Sequence, residues 1–200
     1  MRILLVGASG TIGSAVAAAL SGRHELILAS VQKSAEQVDI ADPASIRALF
    51  ARVGRVDAVV SAAGLAAFRP LTDLGDEDFD LSLSNKLMGQ VNLVRLGLAS
   101  MTDGGSFTLT AGYLARHPIP GSGAVSLVNA GLEGFGRAAA LEAPRGIRVN
   151  VVSPPWVTET LLKLGRPPDG GVAAATVAQA YVSSVEGTIT GQTIDPSAAP

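Results

Sequence analysis

The sequence predicts an α/β chain folded as a single doubly wound parallel sheet. Short apolar runs, each the length of one buried strand, alternate with stretches of helical periodicity. The first run, Arg2-Ile3-Leu4-Leu5-Val6, breaks into Gly7-Ala8-Ser9-Gly10-Thr11-Ile12-Gly13, and Ser14 to Leu20 then reads as helix. A chain of 200 residues with 48% hydrophobic and 16% charged residues suits one globular domain, 1–200, with a sizeable core.

A strand, a glycine turn and a helix are what a dinucleotide site requires. Gly7 permits the sharp turn, Gly10 lets backbone approach a pyrophosphate, and Gly13 brings helix close to strand. The free N–H groups opening the helix would then face the phosphates, aided by the helix dipole. A tight turn with no ligand is the plainer reading of the same residues.

The remaining elements follow in order. Residues 25–30 form a second strand, and the ribose-selecting position at its end holds Ser30, with Lys33 nearby and no acid. That leans towards NADP over NAD, although Lys33 also suits a solvated loop. Val38-Asp39-Ile40 is expected as a third strand, a stub at the sheet edge, because too few residues precede it for a crossover helix. Asp42 and Pro43 start a helix that Gly54 ends, and residues 56–61 give the fourth strand. One long helix is expected over 76–101, a fifth strand over 106–110 and a second long helix over 124–141. Residues 148–153 read as the sixth strand, 173–184 as a short helix, and 193–195 as a last strand.

Composition excludes several functions. A net charge of −2 gives no electrostatic reason to expect nucleic acid or an anionic membrane. Having no cysteine removes disulfides, thiolate catalysis and Cys-ligated metals. His24 and His117 stand far apart without carboxylates at ligand spacing, so no metal site is expected, and His24 reads as a surface residue. No apolar run reaches membrane-spanning length, and the chain opens on a core strand; a cytoplasmic protein without a cleaved signal is the expectation.

Several ordered stretches resemble the short-chain dehydrogenase/reductase family along nearly the whole chain. They are the glycine turn 7–13, Asp39-Ile40, Ser61-Ala62-Ala63-Gly64, Asn85, Gly104-Gly105-Ser106, Arg145 to Asn150, Val152-Ser153-Pro154 and Gly191-Gln192. The resemblance implies a Rossmann-type, NAD(P)-binding fold. It also implies that Gly7, Ser9, Gly10, Thr11, Ile12, Gly13, Ser30, Asp39, Ile40, Ala62, Ala63, Gly64, Asn129 and Pro154 border the cofactor.

The same resemblance places the family's catalytic Ser, Tyr and Lys at Gly112, Val125 and Asn129, and leaves Asn85 with its expected identity. Val125 has no ionisable group, and Asn129 can hydrogen-bond a ribose but carries no charge; a missing general acid costs about 10² to 10⁴ in rate. Tyr113 is the substitute acid the sequence offers, with Asn85 beside it as a catalytic candidate and His117 able to titrate near neutrality. Packing of Tyr113 under its loop and solvation of His117 account for the same residues. Trp156 either covers the nicotinamide end or packs at the base of a lid. The substrate pocket would lie among loops 66–73, 113–123 and 156–169.

Three functions compete. One is an NAD(P)-dependent oxidoreductase acting on a small carbonyl or alcohol with a non-standard site. Another is a catalytically inactive dinucleotide-binding sensor or partner subunit. The third is a scaffold that only assembles. A homodimer or homotetramer would form through the two long helices. The missing crossover helix leaves the adenine side open, so micromolar or weaker cofactor affinity is expected.

Overall fold

The computed structural model describes residues 1–196; residues 197–200, the end of the 1–200 domain, lie outside the described residues. Seven parallel strands form one sheet in the order β3-β2-β1-β4-β5-β6-β7. They are β1 (Arg2–Val6), β2 (Glu25–Ser30), β3 (Glu36–Gln37), β4 (Val56–Ser61), β5 (Met101–Thr110), β6 (Arg148–Val152) and β7 (Thr193–Ile194). The single α/β domain and its doubly wound sheet agree with the sequence reading.

Both faces of the sheet are covered, which is why β1 is apolar and buried from Ile3 to Val6. Along β1, Leu4 and Val6 enter one core, and Ile3 and Leu5 enter the other. The first core includes residues of α2 (Pro43–Val53), α4 (Gly89–Gly97) and α5 (Gly123–Glu142). The second lies under α1 (Thr11–Leu20) and α7 (Ala174–Glu186). α2 starts as its sequence dictates: the Asp42 carboxylate accepts from the Ala44 N–H at 2.8 Å, and Pro43 opens the first turn.

β1 pairs with β2 on one side and β4 on the other, so the chain direction of winding reverses there. The loops leaving β1 and β4 diverge at that point and open a crevice at the C-terminal sheet edge. The turns after β5 and β6 extend the same edge.

Four elements differ from expectation. β3 is an edge stub but comprises Glu36–Gln37, two residues before Val38-Asp39-Ile40, because Glu36 and Gln37 are what register with Ala29 and Ser30. β5 starts earlier, at Met101, and bulges against β4 between Val56 and Ala58. A short helix, α6 (Thr158–Lys163), stands inside the predicted lid.

The fourth is the long helix over 76–101. It is α3 (Asp76–Leu81), a π-helical turn at Ser82–Met88, α4, and a 3-10 turn at Leu98–Ser100. The hydroxyls of Ser82 and Ser84 donate to the carbonyls of Asp78 and Asp80, both at 2.6 Å, and so compete for the acceptors of an α-helical ladder. π-turns inside helices recur at functional sites because they re-aim side chains.

Candidate active site

The first cleft is built on the glycine turn. Gly7 adopts φ +85°, and a Cβ there would stand 2.6 Å from the Ala62 carbonyl oxygen. At Gly13 a Cβ would come within 2.1 Å of the Gly7 oxygen, so α1 rests directly on the turn. Gly10 is the N-cap of α1; no side chain caps the helix, and no acid occupies its first turn. Backbone N–H groups therefore remain for an anion, which fits a pyrophosphate.

This cleft holds about 490 Å³ and runs past Gly7, Ser9, Gly10, Ser30, Lys33, Ile40, Ala62, Ala63, Gly64 and Asn85. At its far end the Ser30 hydroxyl is bonded to the Gln32 carbonyl and the Ser34 hydroxyl. Asp39 turns away from the cleft: it accepts from the Ala41 N–H at 2.9 Å and borders the outer side of the sheet edge. The Asn85 Oδ1 accepts from the Leu65 N–H at 2.8 Å, tying the π-turn to the loop after β4.

A second cleft of about 200 Å³ lies beyond the glycine turn, with Ile12 in its wall. Lys86, Thr110, Gly112, Tyr113, Asn129, Pro154, Trp156 and Thr160 also line it. Gly112 and Asn129 meet here: a Cβ on residue 112 would be 2.8 Å from the Asn129 Nδ2. Val125 is half-buried on α5 and does not line the cleft. Asn129 is 2% exposed, and its Oδ1 has no partner among the described residues. An orphaned buried acceptor costs about 1–3 kcal/mol, so the site is arranged to receive a donor.

The mouth is covered by aromatic and lid residues. Phe68 meets Trp156 edge-on with centroids 6.1 Å apart, and the Arg166 guanidinium lies 5.8 Å and 5.5 Å from the two rings. From α6, the Lys163 ammonium donates to the Thr11 hydroxyl at 2.7 Å, fastening the lid to the glycine turn. Tyr113 stacks on His117 at 3.9 Å with 14° between planes. His24 is not a free surface residue: it meets Glu186 at 2.8 Å and joins the turn before β2 to α7.

Lys86 is the residue that the sequence reading passed over. Its stem lies across Gly64, where a Cβ would be 2.8 Å from the Lys86 Cγ, and its Nζ donates to the Ala111 carbonyl at 3.3 Å. Burial pushes the ammonium down to about 8. Gln90 fixes the neighbourhood, donating to the Thr110 carbonyl and accepting from the Thr110 N–H, both at 2.8 Å. The signal was present in the spacing: Leu83, Lys86, Leu87 and Gln90 share a helical face, putting two polar residues on an apolar stripe.

A profile described as enoyl-(acyl carrier protein) reductase matches residues 7–192. The chain belongs to the short-chain dehydrogenase/reductase family. The crystal structure of the protein lin1944 from Listeria innocua is 45% identical, superposes with a TM-score of 0.94, and 98% of each chain is covered. A small-chain dehydrogenase in complex with NADPH is 26% identical with a TM-score of 0.85, covering 98% of this chain and 95% of that one. The 1-cyclohexenylcarbonyl-CoA reductase of Streptomyces collinus is 28% identical over 84% of this chain and 71% of its own length. In short-chain dehydrogenase terms, the glycine turn occupies the family's place after β1. Among the described residues no His, Cys, Asp and Glu cluster could hold a metal, and no helix is long and apolar enough to cross a membrane.

Proposed function

We propose that this chain is an NAD(P)-dependent oxidoreductase of a small carbonyl or alcohol, working without the family's Ser-Tyr-Lys set. The observation that carries the reading is the adjacency of the two clefts. The uncapped start of α1 faces one, and Ile12, a single turn of chain away, forms the wall of the other. A dinucleotide held along the first would present its nicotinamide end at the second. The NADPH complex of the 26% identical relative supports the cofactor class.

Each residue then has a physical role. The backbone from Gly7 to Gly13, with Ser9, holds the pyrophosphate; Ser30 and Lys33 receive the adenosine ribose, where the Lys33 cation favours the extra phosphate of NADP over NAD. Ile40 and the 62–64 turn border the cofactor, and Asn129 accepts a hydroxyl of the nicotinamide ribose through its orphaned Oδ1. The cofactor, when bound, supplies or takes up the hydride. Trp156 and Phe68 keep water from the reacting carbon, and the phenol of Tyr113 orients the substrate oxygen beside Gly112. A cleft of about 200 Å³ selects small substrates. The apolar groove between α4 and α5, with Val94, Leu98, Phe135 and Ala139 in its walls, is the face we assign to a homodimer or homotetramer.

The test follows NADPH consumption together with alcohol formation over a panel of small aldehydes, ketones and quinones. Linked consumption supports the oxidoreductase. Tight NADPH binding with no product from any of them would favour an inactive dinucleotide-binding sensor or partner, the reading motivated by Gly112, Val125 and Asn129.

A further inference from the structure

The oxidoreductase reading leaves the proton unassigned, and two ionisable side chains line the second cleft, Tyr113 and Lys86. We infer that Lys86 is the proton-transfer residue of this site, giving a proton from its ammonium to the carbonyl oxygen of a small aldehyde or ketone. The inference rests on the oxidoreductase reading.

Position comes first. The Lys86 stem crosses Gly64, which borders the dinucleotide cleft, and its Nζ ends in the substrate cleft at the Ala111 carbonyl. The amine thus stands where the two clefts adjoin. An ammonium has three donors, and one is directed at Ala111, leaving others for a substrate oxygen. Asn129 lines the same cleft with an unpartnered acceptor, an independent sign that a ligand completes the polar set.

A structural role explains the lysine poorly. Among the described residues its ammonium has no carboxylate partner. On α3, Asp78 is held by Arg69 at 3.3 Å and by the Gly75 N–H at 3.0 Å. On α5, Glu133 is held by the Ser153 hydroxyl at 2.9 Å and by Arg116 at 3.4 Å. The neighbouring Asp80 is exposed, and Tyr113 is the other titratable group in the cleft. A half-buried ammonium with no carboxylate partner is costly, and a leucine or methionine would fill the place without that cost. What the lysine adds is a proton that can leave near neutral pH, since burial has brought it to about 8.

In reduction a C–H bond forms at the carbonyl carbon with the electron pair of a hydride from reduced nicotinamide dinucleotide. The C=O π pair moves to oxygen, an O–H bond forms there, and an Nζ–H bond of Lys86 breaks. The neutral amine is reprotonated by water. In oxidation the neutral amine accepts the alcohol proton as the hydride departs to the oxidised dinucleotide.

The experiment uses the full chain, with NADPH and a panel of propanal, diacetyl and cyclohexanone. Lys86→Met should lower kcat by about 10² to 10⁴, while the NADPH dissociation constant changes less than about threefold. Wild-type reduction should fall tenfold per pH unit above an inflection near 8, and Tyr113→Phe should lose less rate than Lys86→Met and keep that inflection. Lys33, Lys86 and Lys163 are the lysines of the chain, so carbon-labelled lysine NMR resolves each side chain without turnover. One ε-carbon should titrate near pH 8 and vanish in Lys86→Met; this holds even where that variant folds poorly. The inference is overturned if all three titrate near the ordinary lysine value, if Lys86→Met retains full rate, or if wild type with NADPH bound reduces none of the panel. Failure of both NADPH and NADH to bind would instead remove the oxidoreductase reading itself.

Discussion

At Gly13 a single added carbon would have to occupy space 2.1 Å from the Gly7 oxygen. That atom is backbone and cannot swing aside, so Gly13→Ala is expected to destabilise the fold by about 1–3 kcal/mol and to abolish dinucleotide binding. Thermal melts with NADPH titration check both. Tyr181 shows a different economy. The Thr110 hydroxyl donates to the Ser61 carbonyl, which leaves the Tyr181 hydroxyl to donate to Thr110 at 2.6 Å. Tyr181→Phe leaves that acceptor empty in a dry site and should cost about 0.5–1.5 kcal/mol, read as a lowered melting temperature with cofactor affinity kept. Asp57 accepts the Arg2 N–H at 2.7 Å and the Thr102 hydroxyl at 2.8 Å, and the first of these chiefly holds its carboxyl below the ordinary value. A depressed folded-state value means stability present above the unfolded value of about 3.9 and lost as pH falls through the folded one. Asp57→Asn should therefore be less stable than wild type at pH 7, with the gap closing in acid. Lys86 has the opposite dependence: between about 8 and its ordinary value the unfolded chain binds more protons, so stability rises with pH there. Lys86→Met should lack that rise.

The element that decides the site is the π-turn at Ser82–Met88. Apolar spacing over 76–101 was legible as helix, because Phe79, Leu83, Leu87 and Val94 recur as a stripe. Spacing could not reveal the turn, which depends on Ser82 and Ser84 returning their hydroxyls to the chain. With one residue inserted per turn, Asn85 reaches the loop after β4 while Lys86 reaches the loop after β5. Sequence reasoning that carried Asn85 forward by resemblance thus stopped one residue short of the amine in the substrate cleft. Gln90 anchors the end of this element to Thr110, so Gln90→Leu should loosen the Lys86 backbone and lower turnover while NADPH affinity holds. At the lid, the bond from Lys163 to Thr11 joins α6 to the glycine turn at 2.7 Å. Lys163→Ala should speed cofactor release, measured by stopped-flow displacement.

Across the whole molecule, the sheet was the most legible feature. β2 and β4 coincide with the expected 25–30 and 56–61, because each is a short, largely apolar run bounded by turn residues. β3 was legible as an edge stub but not in register, since two polar residues with one neighbouring strand leave little pattern to read. The site was legible where backbone does the work: Gly7 makes the sharp turn and Gly13 the close helix contact expected of them, whereas cross-helix groupings such as Lys86 with Asn129 have no local signature. Calorimetric titration with NADPH and then NADH asks whether the glycine turn is a working dinucleotide site feeding the adjoining cleft. One-to-one binding at micromolar affinity, tighter for NADPH than for NADH and absent in Gly13→Ala, is the result this account requires. No heat of binding from either nucleotide at millimolar concentration, on protein shown to be folded, would contradict it.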